Sequence, residues 1–212
     1  MMRWILAAAL ALAAIGTSPA AAQQRPLESD VEKASQTCWL ASITQFSADG
    51  RIDGYDMADA FWFPIEASRV VTAKGEILTQ VQTRASEIPA DADSVRKSAA
   101  FYVSECSKRW PKSVRGATPI KLPDDRYDRE LLCGAVASLM LGAAQEEEKS
   151  YGTSTTLPVL KKITDRVIAY QTDAMLQQHG ITDQADLVSQ YSLAIGRAVR
   201  MGNLNDVIRA CT

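Results

Sequence analysis

Apolar residues recur every three or four positions over most of this chain, the period of a helix with one buried face. Ser29-Asp-Val-Glu32 reads as a capping box opening a first helix to about Phe46, with Val31, Ala34, Cys38 and Ala41 as its apolar steps. The Asp- and Gly-rich stretch SADGRIDGYD reads as a loop. A short helix from Asp56 to Trp62 follows, and Pro64 is expected to end or redirect it. A longer helix is expected within Ile65 to Ile88, with Ile77 or Leu78, Val81, Ala85 and Ile88 on one face. Gly75 and the β-branched run before it weaken that expectation locally. Ala99, Val103, Cys106 and Trp110 then mark a helix spanning Ser94 to Trp110.

The stretch from Pro111 to Pro123 breaks the pattern with three prolines and reads as a basic connector. Asp124 or Asp125 can cap the next helix, which carries Leu132, Val136, Leu139 and Ala143. Its segment LLCGAVASLMLGAA is apolar nearly all round, which predicts a central helix, and its small residues suit close approach by neighbours. Pro158 opens a helix through Val159, Ile163, Val167, Tyr170 and Ala174 to a stop at His179-Gly180. Thr182 opens another, Gly202-Asn203 breaks it, and a short final helix carries Leu204 and Cys211.

The fold class that follows is all-α: a disulfide-stapled helical bundle, read as two similar three-helix halves packed into one compact domain. The halves run over residues 23–110 and 124–212, joined by the connector at 111–123. Cys38 lies nine residues after Ser29 and Cys133 nine after Asp124, and each half ends on a helix holding Cys106 or Cys211. Side chains otherwise differ between the halves, and the aromatic residues concentrate in the first.

Residues 1–22 stand apart from the helical pattern. Arg3, the apolar run Trp4–Ile15 and the small residues Ala20-Ala21-Ala22 have the layout of a secretory signal peptide cut before Gln23. Thr17, Ser18 and Pro19 leave too short an apolar run for a membrane span, so no stable insertion is expected once the signal is removed. A periplasmic or secreted location gives the four cysteines an oxidising surrounding, where an even number reads as two disulfides. The half-by-half layout favours Cys38–Cys106 and Cys133–Cys211, with Cys38–Cys133 the main rival. Lys and Arg number 23 against 25 Asp and Glu, a net charge of −2, which gives no reason to expect nucleic acid.

The motifs of chemistry are sparse. The single histidine, His179, sits at a helix end, where its charge suits the carbonyl pole. A cysteine or serine nucleophile would need it as a base, and the cysteines fall on apolar stripes. Neither zinc spacings nor glycine-rich phosphate loops occur in the sequence. Asp49, Asp53, Asp56 and Asp59 resemble a calcium loop, with Gly54 at the sixth place. However, Arg51 and Ala60 occupy the third and twelfth places, where oxygen ligands belong. Glu146-Glu147-Glu148 reads as a solvated, fraying helix end. No catalytic residue, cofactor or metal is therefore assigned.

The connector is the most suggestive surface. Lys108, Arg109, Trp110, Lys112 and Arg115 combine positive charge with an aromatic ring, and no acidic residue follows until Asp124. These five are the candidate partner-binding residues. The expectation is a non-enzymatic exported protein that works by contact with another envelope or exported protein, as an inhibitor, immunity-type protein or envelope accessory factor. The alternative is a small-ligand or cell-wall-fragment binder with a pocket between the halves lined by Trp39, Trp62 or Trp110. A hydrolase built on two carboxylates is a third reading, because such a pair leaves no short motif.

Overall fold

A computed structural model describes residues 25–71 and 76–212, so the expected signal peptide lies outside the described residues. The described chain forms ten α-helices and contains no strand. Two disulfides, Cys38–Cys106 and Cys133–Cys211, join cysteines within each half of the sequence. All four cysteines are buried.

Helix α1, Val31–Phe46, starts one residue later than the Ser29 capping box suggests. Asp30 is the cap, its carboxylate accepting from the Lys33 amide at 2.9 Å. Helix α2, Gly54–Val71, runs through Pro64 instead of ending there. Losing one intrahelical hydrogen bond is offset because every residue from Trp62 to Ser68 is buried. The longer helix expected within 65–88 is instead the end of α2 and a separate α3, Ile77–Ser86. Ile88 does not share the buried face: it lies beyond the helix, 68% exposed, and Arg84 is buried in its place. The helix expected from Ser94 to Trp110 breaks at Ser98 into α4, Ala92–Lys97, and α5, Ala99–Arg109.

Helix α6, Arg126–Tyr151, is capped by Asp125 and ends at Gly152, whose φ of 75° suits glycine. Every residue from Glu130 to Ala137 is buried, so two turns of α6 have no solvent face. The helix expected through His179 is two helices, α7, Leu157–Tyr170, and α8, Asp173–Gln178, with Thr172 capping the second. Asp183 rather than Thr182 caps α9, Gln184–Met201, and Asn203 caps α10, Leu204–Ala210. Five helices therefore lie on each side of the connector, not three.

Helix α6 packs against α2, α7, α9 and α10, and α2 packs also against α1, α3 and α9. One large core cluster consequently draws on both sides of the connector, from Cys38 and Trp62 to Leu204 and Ile208. A satellite cluster of Ala41, Val95, Ala99 and Tyr102 holds α4 and α5 to α1.

Glu147 departs from the solvated helix end expected for Glu146–Glu148. It is 3% exposed, accepts from the Gly54 amide at 3.1 Å and from Ser154 Oγ at 2.6 Å, and pairs with Arg51 at 3.0 Å. Its carboxylate sits at the amino end of α2, where the helix dipole favours negative charge. The acid thus fastens the end of α6 to the start of α2.

The small residues of α6 are not equivalent. A Cβ on Gly134 would lie 2.7 Å from Val167 Cγ1 and 3.0 Å from Tyr191 Oη, whereas one on Gly142 would meet nothing within 4 Å. Gly134 is therefore a point where side chains of α7 and α9 press directly on α6. Alanine should accordingly act in opposite directions at the two positions. Gly142→Ala is expected to stabilise by up to about 1 kcal/mol through helix propensity. Gly134→Ala is expected to destabilise by roughly 1–2 kcal/mol through overpacking. Urea unfolding of the two variants checks this, and equal shifts would contradict it.

Candidate functional site

The residues that gather cationic and aromatic side chains come from three elements. Helix α2 contributes Trp62, Glu66 and Arg69, spaced four and three apart and so on one face. The last turns of α9 contribute Arg197, Val199 and Arg200. The connector and the residues entering it supply Arg109, Trp110, Pro111 and Lys112. Between them lie two adjoining depressions of about 300 Å³ and 430 Å³ that share Arg69 and Arg200.

Local contacts fix most of this groove. Trp62 Nε1 donates to the Gly202 carbonyl at 3.0 Å, tying α2 to the turn between α9 and α10. Trp110 packs on Trp62 and Phe63 with ring centroids 6.3 and 5.8 Å apart. Arg109 lies 4.6 Å over the Trp110 ring and donates to the carbonyls of Glu28 and Ser29. Lys112 Nζ donates to the Arg200 carbonyl at 2.6 Å, placing a cation at the carbonyl end of α9. Gly196 lets α9 approach: a Cβ there would meet Ile77 Cδ1 at 2.8 Å.

Charge in the groove is unbalanced. Five cations, Arg69, Arg109, Lys112, Arg197 and Arg200, face two acids, Glu66 and Asp128. Glu66 accepts from Arg69 Nε at 2.7 Å and Nη2 at 2.5 Å, and Asp128 accepts from Arg197 at 3.2 Å. Lys112, Arg109 and Arg200 have no carboxylate partner among the described residues. On a chain of net charge −2, this is a local concentration of positive potential.

Three of the five residues singled out in the sequence, Arg109, Trp110 and Lys112, line this groove. Lys108 does not; it pairs with Glu105 at 2.6 Å. Arg115 does not either, and it is not without an acid: it reaches back to Asp59, donating from Nη2 at 2.5 Å and Nε at 3.1 Å. Arg69, Arg197 and Arg200 were missed. Their sequence signal was spacing, since Arg197 and Arg200 share a face of α9 as Trp62 and Arg69 do on α2. Trp39 lies elsewhere, packed at a tilt against Phe61 with centroids 5.0 Å apart and its Nε1 donating to the Ala85 carbonyl.

Asp59 explains how the connector keeps its path. Its Oδ1 accepts from Asn203 at 2.8 Å and Asn205 at 2.5 Å, opposite the Arg115 contacts on Oδ2. Asn203 also donates to the Ser113 carbonyl at 2.6 Å, and Asp206 accepts from the Gly116 amide at 2.6 Å. The connector is thus pinned to α2 and to the start of α10. Asp53 and Asp56, read in the sequence against a calcium loop, instead exchange backbone contacts as a reciprocal cap of α2, at 2.8 and 3.3 Å. Among the described residues no group of three acidic, histidine or cysteine side chains is arranged to hold a metal ion.

His179 ends α8 with its ring stacked on Tyr127, centroids 3.5 Å apart. A further hollow of about 460 Å³, between α2, α3 and α6, is lined by Phe61, Leu78, Val81 and Leu139 and has no charged lining. Comparison with known proteins leaves the geometry to speak for itself: the chain matches no protein-family model, no curated protein and no solved structure.

Burial raises the pKa of Asp59 above its ordinary value, against the lowering pull of Arg115 and Asn203. Asp56 is raised as well, again chiefly by burial. A carboxyl that holds its proton more tightly when folded favours folding below the ordinary carboxylate value. That contribution is lost as the pH rises through the raised value. Asp59→Asn removes the titration. Wild type should therefore lose stability relative to Asp59→Asn as the pH rises through the acidic window above the ordinary value. Urea unfolding of both proteins at a series of pH values measures this, and a difference that grows in the opposite sense would contradict it.

Proposed function

We propose that this chain is an exported, non-enzymatic binding protein of the periplasm or the exterior, acting by contact with another envelope or exported protein. The observation that carries the reading is the groove walled by Trp62 and Trp110, with five cations to two acids. Arginine and tryptophan are the side chains that most often dominate protein contacts. A positive groove on an acidic chain favours a partner with an acidic face and steers its approach. Export is supported by the signal-like residues 1–22 and by two disulfides, which suit an oxidising compartment.

The two acids of the groove are each engaged by an arginine, Glu66 by Arg69 and Asp128 by Arg197, which leaves Arg109, Lys112 and Arg200 as the charges it offers a partner. A second reading, binding of a small anionic ligand or cell-wall fragment, is favoured by the volumes of about 300 and 430 Å³, which match the lower range of small-ligand sites.

Capture from envelope extract tests the first reading when wild type is compared with the double variant Lys112→Glu/Arg200→Glu. Wild type is expected to retain a protein at low salt and release it as salt rises, while the double variant retains none of it. No protein retained by wild type at any salt, or the same proteins retained by both, would count decisively against the proposal.

A further inference from the structure

Resting on that reading of the groove, the geometry points to recognition of a peptide C-terminus: a free carboxylate together with the apolar side chain of the last residue. The smaller depression mixes two kinds of wall within about 300 Å³. Trp110 and Pro111 make the apolar one, with the buried Trp62 and Val199 packed behind them, and Lys112 and Arg200, neither with a carboxylate partner among the described residues, make the other. A ligand that satisfies both walls must carry an anion and an apolar group close together.

The last residue of a peptide is the place where a carboxylate and an apolar side chain leave the same carbon atom. An internal Asp or Glu puts its charge at the tip of its own side chain and offers nothing to the tryptophan wall. Inorganic phosphate satisfies the cations and leaves the apolar wall unfilled. Glu66 does not oppose the incoming charge strongly, because both of its oxygens already accept from Arg69.

The adjoining depression of about 430 Å³ suits the residues that lead to the terminus. Its wall holds Gln190, Arg197 and Asp128, donors and acceptors of the kind a peptide backbone needs. Arg69 and Arg200 stand on the boundary of both depressions, where a terminal carboxylate joins its own backbone. Capture of a terminal carboxylate by fixed cations and amides is a recurring mode of peptide recognition.

Tryptophan fluorescence of the oxidised protein at low salt reads the site directly, since Trp110 walls it and Trp62 packs against Trp110 from the core side. The probes are Gly-Gly-Phe as the free acid, the same peptide as its amide, phenylacetate and inorganic phosphate. The free acid should bind saturably, and the amide about tenfold more weakly or worse, as loss of a charge-assisted contact requires. Arg200→Ala and Lys112→Ala should each weaken the free acid about five- to tenfold, while Lys161→Ala, on α7, leaves it unchanged. Equal binding of acid and amide would overturn the inference while leaving the groove as a contact surface. So would no response to any probe while charge-dependent protein capture persists. Phenylacetate or phosphate binding as tightly as the peptide acid would also overturn it, since no peptide would then be needed. Peptide binding without any captured envelope protein would uphold the inference and tell against the protein-partner reading alone.

Discussion

Much of this structure follows from the need to bury α6 on every side. From Glu130 to Ala137 the helix has no solvent face, so it requires neighbours all around it. Helices α7, α9, α10 and α2 meet that requirement. The Cys133–Cys211 bond ties α6 to the end of the chain just past α10, and Gly134 beside it leaves room for Val167 and Tyr191. Glu130 is the one charged group in those turns. It is accommodated by Arg166 at 3.0 Å, which also donates to the Cys211 carbonyl at 2.7 Å.

The same demand explains why α2 matters beyond its own half. Helix α2 packs on α1 and α3 and also on α6, α9 and α10. Burial on so many sides carries the helix through Pro64. At its start, Glu147 of α6 holds the Gly54 amide, and a third of the way along, Asp59 holds the connector and α10. From its middle to its end, Trp62, Glu66 and Arg69 line the groove together with Val199 and Arg200 of α9. The groove is the remainder of this packing: α2 and the end of α9 form two walls, and the connector, rather than another helix, forms the third.

That origin also accounts for the kind of surface the groove offers. Its apolar walls belong to the core, since Trp62 is buried in it and Trp110 packs against it. Its cations stand at the ends of elements: Arg69 near the end of α2, Arg200 near the end of α9, and Lys112 over the last carbonyls of α9. Cations at helix C-termini are favoured by the dipole, so structural preference and anion attraction point the same way here. A polar knot around Asp59 keeps the connector wall in place without covering it.

The sequence determined the class of the fold by itself. Period-three-and-four apolar steps, a local pattern, made it helical, and the placing of one cysteine early and one late in each half made the pairing within halves the favoured one. It also marked Arg109, Trp110 and Lys112 as notable, since they adjoin one another in the chain. Tertiary structure decided what depends on distant partners. Pro64 sits inside a helix because of burial that no window of sequence contains. Glu147 is buried because Arg51, Gly54 and Ser154 meet it there. Arg115 turns away from the groove because Asp59, 56 residues earlier, receives it. Arg69 and Arg200 share a groove with Lys112 only once α2 and α9 lie side by side. Charge and aromatic character can be read residue by residue, but which of them face one another is set by packing.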